Sequence, residues 1–353
     1  MNAKLRKTLI LVAKLAVAAG LLTYLFVAKF HWYDYTAVIN GREQLCQGLR
    51  STVMAANAGL LAVSFVIFII PVFFMAARWW YLMRLQQIRL GYWEAVRLTF
   101  LGQFFCYIVP GMVSGDLIKA YYVIKHTDRK AAAVVSIFLD RAMGLLGFAI
   151  VPLVVMALVI VSGGDRSRLG LPALAVGIVL AAMTLCLAVL LSRRFRHMLR
   201  LDKLMALSSF LHRHTAMVSQ AADLYRRRPS ALLGALGITF VGQGMFITAI
   251  LLAGKALVPQ IPWHHYVLYV PLIYIIAAVP ITPGGLGVVE WAYCQFLVAG
   301  AVAKEPVLAL ALLARAAQMF CGLPGIAVAI TGAKVPKIAT MEAELGVDGN
   351  PAA

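Results

Sequence analysis

The sequence predicts an all-α fold: a polytopic membrane protein of two inverted-topology repeats, each with three spanning helices and one re-entrant helical hairpin. Three observations predict it. Of 353 residues, 62% are hydrophobic and only 13% charged, with mean hydropathy +0.87, whereas an ordinary globular chain carries roughly 25% charged residues. Uncharged stretches at 53–77, 142–164, 171–192, 231–254 and 316–333 are each long enough to cross a bilayer core, which takes ~17–25 apolar residues. Two more, 98–115 and 266–289, are uncharged but interrupted by Pro110-Gly111 and by Pro280-Ile281-Thr282-Pro283-Gly284-Gly285. This composition excludes a soluble enzyme, a disordered tail and a disulfide-stapled secreted domain.

Taken in order, the first apolar run is Thr8–Ala28, interrupted only by Lys14 and preceded by Lys4, Arg6 and Lys7. It exceeds the h-region of a cleaved leader and reads as a retained helix whose lysine snorkels to the interface. Spans are expected at 8–28, 53–77, 131–162, 171–192, 231–254 and 306–332, with 95–118 and 265–303 as hairpins returning to their side of origin. With the N-terminus in the cytoplasm, 22 Lys and Arg fall inside and 7 outside, and Lys14, Arg141 and Arg315 lie within spans. That split obeys the positive-inside rule. It accounts for the net charge of +18 by topology and anionic lipid, so no nucleic-acid partner is expected.

Residues 1–335 thus form one integral membrane domain, multi-pass in the plasma (inner) membrane with both termini cytoplasmic. Its linker, 193–230, carries Leu204, Leu207, Leu211, Val218, Ala221 and Tyr225 at roughly helical spacing and reads as an interfacial amphipathic helix. Residues 336–353 form a short flexible tail. Cys46, Cys106, Cys186, Cys294 and Cys321 lack CxxC spacing and the histidines lack HExxH, so neither metal nor cofactor is expected.

Element order repeats, giving span, span, hairpin, span over 8–162 and again over 171–332. The first copy starts inside and the second outside, as in many secondary transporters. Asp116 follows the first break and Glu290 the second, while Arg141 and Arg315 each stand 25 residues further on. An arginine near the bilayer centre costs about 2.5–3.5 kcal/mol, which calls for partners. Asp140 adjoins Arg141 but points to another helix face, so the expected partner of each arginine is the acid at a hairpin break. Two readings then stand side by side. The charges form ion pairs that hold hairpin to span, or each break, with backbone left accessible at Gly111, Gly115, Gly284, Gly285 and Gly287, seats an anion between half-helix N–H groups and a guanidinium. Gln103, Tyr107, Ser114, Gln243, Thr282 and Gln318 are polar residues available to the same cavity.

Pro280-Ile-Thr-Pro-Gly-Gly-Leu-Gly-Val-Val-Glu290 resembles the signature of the lysylphosphatidylglycerol synthase transmembrane family, the flippase-like domain of the multiple peptide resistance factor and its stand-alone relatives. Ser114-Gly-Asp-Leu-Ile-Lys119 is similar to that family's Gly-acid-x-x-basic turn, and Ser136-Ile-Phe-Leu-Asp-Arg141 to its Ser-x-x-x-acid-Arg helix. The chain departs from the commoner family form at Asp116, Lys119, Asp140 and Gly144, where Glu, Arg, Glu and Asp are usual. The resemblance implies lipid translocation and adds Lys119 and Asp140 to the substrate-binding candidates Arg141, Arg315, Asp116, Glu290, Gly115, Gly284, Gly285 and Gly287. With 17 residues after Pro336, a member without the soluble aminoacyl-transferase domain is expected.

The leading functional expectation is a transporter, not an enzyme, that moves an anionic, phosphate-bearing lipid or lipid-linked molecule between leaflets. Against it stand a membrane-embedded lipid transferase, or the subunit of a partner transferase, using Asp116 or Glu290 as base, and a scaffold in which the charges only hold hairpins in place.

Overall fold

The computed structural model describes residues 31–39, 42–46, 48–107, 115–125, 129–162, 170–191, 227–279, 282–298 and 304–331, with Ala16, Gly20, Thr23, Thr127 and Tyr225 as isolated positions. The expected first span 8–28, most of the linker 193–230, the first break at Pro110-Gly111 and the tail 336–353 lie outside the described residues.

The elements are strands β1 (Tyr35–Ile39) and β2 (Arg42–Cys46) and helices α1 (Leu49–Met54), α2 (Ala58–Leu85), α3 (Tyr92–Tyr107), α4 (Gly115–Lys125), α5 (Lys130–Val161), α6 (Gly170–Leu191), α7 (Pro229–Leu257), α8 (Trp263–Ala278), α9 (Val288–Phe296), α10 (Lys304–Gly322) and α11 (Pro324–Thr331). A 3-10 turn, Pro283–Gly285, separates α8 from α9. Among the described residues, four helical stretches are long and apolar enough to cross a membrane: Ala58–Leu85, Ala132–Val161, Pro229–Leu257 and Lys304–Val328. The chain is a multi-pass membrane protein that is nearly all helical. The small antiparallel hairpin β1–β2, which pairs Tyr35 with Cys46, is a departure from the all-α expectation. Its signal is the Asn40-Gly41 dipeptide between the two strands, the preferred filling of a two-residue hairpin turn.

Boundaries differ from the uncharged stretches for local reasons. The second span begins at Ala58, not 53, because Asn57 caps α2 by accepting from the Leu60 N–H at 3.1 Å and thereby separates α1 from α2. It also runs past 77 to Leu85, since Arg78 is buried inside the helix instead of ending it.

Helices α2 and α7 form the spine. Ser64 Oγ donates to the Ala249 carbonyl at 2.8 Å, the Phe68 and Phe246 rings meet edge to face at 5.8 Å, Gly242 lies against Phe74, Arg78 Nη1 donates to Thr239 Oγ1 at 3.1 Å, and Gly234 lies against Tyr81. As one number rises the other falls, so the two helices run antiparallel. Small residues allow this approach, which matters because lipid offers apolar side chains no incentive to leave it and packing must do the work. The converse also holds: Val66, Leu158, Leu174, Leu233 and Phe320 are exposed on the outer faces, where acyl chains would cover them.

Around the spine lie two cores. One joins the second half of α2 to α3, α4 and the first part of α5, and the other joins α7, α8, α9 and α10. Tyr225, expected on the apolar face of an interfacial helix, is buried in the first core and donates from its hydroxyl to the Leu82 carbonyl at 2.8 Å. At the opposite end of α2, the β-hairpin is tied to α10. Glu305 is buried and receives the Tyr35 hydroxyl at 3.0 Å and stands 3.0 Å from His31 Nδ1.

Candidate functional site

The second break is built on backbone conformations that favour glycine. Gly284, Gly285 and Gly287 have φ of +60°, +68° and +79°, in the left-handed region that costs other L-residues about 1–2 kcal/mol each. Gly287 starts α9, and Glu290 three residues later reaches back so that its Oε2 accepts the Gly287 N–H at 2.8 Å. That is half of a capping box, since glycine has no side chain with which to reciprocate. Arg315 on α10 closes the arrangement. Its Nε donates to Glu290, its Nη2 to Glu290 Oε2 at 3.2 Å and to the Gly285 carbonyl at 2.9 Å, and its Nη1 to the Gly284 carbonyl at 3.0 Å. The Glu290 side chain is 0% exposed and that of Arg315 11%. An accessible N–H seat beside a free guanidinium is therefore not what this hairpin presents: Glu290 itself occupies the N–H of Gly287, and Arg315 meets carbonyl oxygens that repel an anion.

The first hairpin carries the same pair in a more open setting. Gly115 starts α4 where a Cβ would run into the Gly102 carbonyl of α3, so the two arms of the hairpin cross at backbone distance. Asp116, in the first turn of α4, accepts from Arg141 Nε of α5 at 2.5 Å. Here the side chains of Arg141 and Asp116 are 56% and 24% exposed. Asp140, the neighbour of Arg141, faces the other way as expected and takes Arg78 Nε of α2 at 2.6 Å, a pair whose side chains are 7% and 9% exposed.

Lys119 lies between these pairs. It is buried, its ammonium stands 5.0 Å over the Trp79 ring, and its stem passes against Gly102. Asp116, Asp140, Arg141 and Arg78 are all within its electrostatic reach. Among the described residues, three basic side chains thus share two carboxylates. Gly144 adds no acid to this group: a Cβ there would sit 3.4 Å from Arg78 Nη1, so a carboxylate at this position would face Arg78.

Arg78 lies inside a membrane-long helix and Lys119 is buried between helices, so neither belongs with the loop charges; leaving both out, the expected count is 20 inside against 7 outside. The missed sign was the continuation of apolar residues through Trp79, Trp80, Leu82 and Met83 beyond Arg78. Of the polar residues suggested for the cavity, Gln243 Nε2 donates to the Gly144 carbonyl at 2.7 Å, Thr282 Oγ1 to the Leu286 carbonyl at 2.8 Å, and Gln318 to the Tyr274 hydroxyl, so these three hold elements together. Gln103 Nε2 lies 3.8 Å from Met75 Sδ. Ser114 and the Tyr107 side chain are outside the described residues.

The two hairpins also touch. Gly284 stands where a Cβ would lie 3.1 Å from the Cys106 carbonyl near the end of α3, while Gly322 and Gly325 lie against Phe104 and Phe100 of the same helix. The latch on Arg315 therefore abuts the first hairpin.

A family model described as the lysylphosphatidylglycerol synthase TM region matches residues 11–325. The chain belongs to that family. The match runs through both hairpins and through Asp116, Arg141, Glu290 and Arg315, so the 280–290 motif, the Asp116 turn and the Arg141 helix are read within one continuous membrane region of the family. No curated protein and no solved structure matches the chain.

Proposed function

We propose that this member of the lysylphosphatidylglycerol synthase TM region family is a flippase-like transporter that moves an anionic, phosphate-bearing lipid or lipid-linked molecule between the leaflets of the inner membrane. The observation that carries this reading is the unbalanced cluster of Arg78, Lys119 and Arg141 around Asp116 and Asp140. A surplus cation among membrane helices is costly unless something neutralises it, and the half-open Arg141 guanidinium can complete that balance with a phosphate through paired N–H donors.

An inverted repeat supports transport over a fixed scaffold. An offset of 174 residues carries Asp116 onto Glu290, Arg141 onto Arg315, and Lys130 onto Lys304, the first residues of α5 and α10. The corresponding helices α2 and α7 run antiparallel, as inverted copies must. In this reading the open pair of one half and the closed pair of the other are two states of one device, and rocking of the halves would exchange them. The excess of Lys and Arg in the segments on that side supports a cytoplasmic position for both termini.

The test is transfer of a fluorescent phosphatidylglycerol between leaflets in proteoliposomes, with a phosphatidylcholine analogue as comparison. Wild type should move the anionic lipid faster than protein-free vesicles, and Arg141→Ala should abolish the difference while remaining folded. Equal rates with and without protein, for both lipids, would overturn the proposal.

A further inference from the structure

A second basic site stands at the end of α2, apart from the paired charges. Here α2 ends in a Schellman turn, with Gln87 N–H bonded to the Arg84 carbonyl at 2.9 Å and Ile88 N–H to the Met83 carbonyl at 3.1 Å. The residue at the left-handed position of such a turn is usually glycine, but here it is Gln87 with φ +58°. Its side chain has a task that glycine lacks: Gln87 Oε1 accepts from Arg129 Nη1 at 2.9 Å, and the Gln86 carbonyl accepts from the same nitrogen at 3.2 Å. Arg129 is thereby brought across to the turn from the start of α5.

The following loop is pinned as well, because Trp80 Nε1 donates to the Leu90 carbonyl at 3.0 Å. These contacts frame a pocket of about 800 Å³ whose lining includes Trp80, Arg84, Gln87, Arg89, Tyr92 and Arg129. Arg84 lies over the Trp80 ring at 4.9 Å, and Arg89 is exposed and makes no hydrogen bond or ion pair with a described residue. No carboxylate lines the pocket among the described residues, and the nearby Glu94 is held by Arg97 at 3.1 Å. Three guanidinium groups converge on a cavity that has no carboxylate among its described lining residues.

We propose that this pocket binds the phosphate of an anionic phospholipid headgroup at the membrane surface. Phosphate suits it because guanidinium forks match phosphate oxygens. A lipid suits it because the pocket opens where the apolar run of α2 stops, beside Trp93, which is exposed next to Tyr92; such aromatics sit at headgroup level, and basic pockets between membrane helices hold lipid headgroups. The site does not depend on transport and would serve equally as an anchor for a helix pair.

The full chain is purified in detergent and its melting temperature is followed during titration with short-chain phosphatidylglycerol, with phosphatidylcholine of the same chain length and inorganic phosphate as separate arms. All arms are repeated in an Arg141→Gln background, which removes binding at the central charges. Arg84→Gln/Arg89→Gln should leave the lipid-free melting temperature unchanged and raise the half-saturating phosphatidylglycerol concentration about tenfold or more. Gln87→Gly, which suits the turn but releases Arg129, should fold at least as well as wild type and also bind less tightly. Equal phosphatidylglycerol binding by wild type and both variants would overturn the site. Equal protection by inorganic phosphate would overturn its assignment to a lipid.

Discussion

Arg141 and Asp116 are joined through a 2.5 Å hydrogen bond between α5 and α4, yet more than half of the Arg141 side chain remains open. Arg315 and Glu290, separated by the same 25 residues of chain, are shut away from everything but their own hairpin. The difference comes from what surrounds each guanidinium. Arg315 donates to a carboxylate and to two glycine carbonyls, which uses most of its five donors, whereas Asp116 is the one hydrogen-bond partner of Arg141 among the described residues.

The closed pair gives the first prediction. Glu290→Gln leaves Arg315 buried with less compensation, and Arg315→Gln leaves Glu290 buried with the Gly287 N–H but no counter-charge from Arg315, so each single change should lower the melting temperature strongly, on the scale of about 3–5 kcal/mol seen when one partner of a buried pair is removed. Glu290→Gln/Arg315→Gln removes both charges and should recover much of the stability. Transfer of labelled phosphatidylglycerol should stay impaired if Arg315 opens to a headgroup in the opposite state. Recovery of stability and transfer together would reduce the pair to a structural clasp.

Gly144 gives the second. Gly144→Asp places a carboxylate within reach of Arg78, which already binds Asp140, and so balances three cations with three acids. The variant should melt at or above the wild-type temperature and move anionic lipid more slowly, because the surplus charge that would attract the phosphate is gone. Unchanged transfer, with a pair to Arg78 established by a raised melting temperature, would show that the surplus plays no part in binding.

Much of this arrangement was legible because charge in a membrane helix is expensive. Arg141 and Arg315 stood out within long apolar runs, and helix geometry turned Asp140 away from Arg141 and assigned the acids at the breaks. The same logic hid Arg78, since ending the span 53–77 at that charge placed it outside a helix that continues to Leu85. It also hid Lys119, whose burial over Trp79 depends on the space left by Gly102 of another helix, and tertiary contacts of that kind have no periodic signature. Asn57 before α2 and Asn40-Gly41 between the strands are local signals for a helix start and a hairpin, and neither changes the hydropathy of its segment. The closing of Arg315 onto the Gly284 and Gly285 carbonyls could not be read from residue types, because glycines at a break offer donors and acceptors alike.

A third prediction concerns orientation. Positive-inside arithmetic puts both termini and 193–230 in the cytoplasm and 163–170 outside. In a cysteine-free background, Ser167→Cys should react with an impermeant thiol reagent in intact cells and Ser208→Cys should not. The reverse pattern would invert the assignment of every segment and remove the charge argument for the inverted repeat.

The last prediction separates backbone conformation from space at the second break. Gly284 has φ +60° and lies where a Cβ would stand 3.1 Å from the Cys106 carbonyl, so either property would make a substitution harmful. Asparagine tolerates the left-handed region and valine does not, whereas both bring the same Cβ toward Cys106. If the glycine is needed for its conformation, Gly284→Asn should retain most of the stability and transfer while Gly284→Val loses both, with a difference of about 1–2 kcal/mol between them. If space against α3 is what matters, the two variants should fail alike. Both variants behaving as wild type would mean that the break is not held in the left-handed turn that presents the Gly284 and Gly285 carbonyls to Arg315, and the closed half of the site would then need a different account.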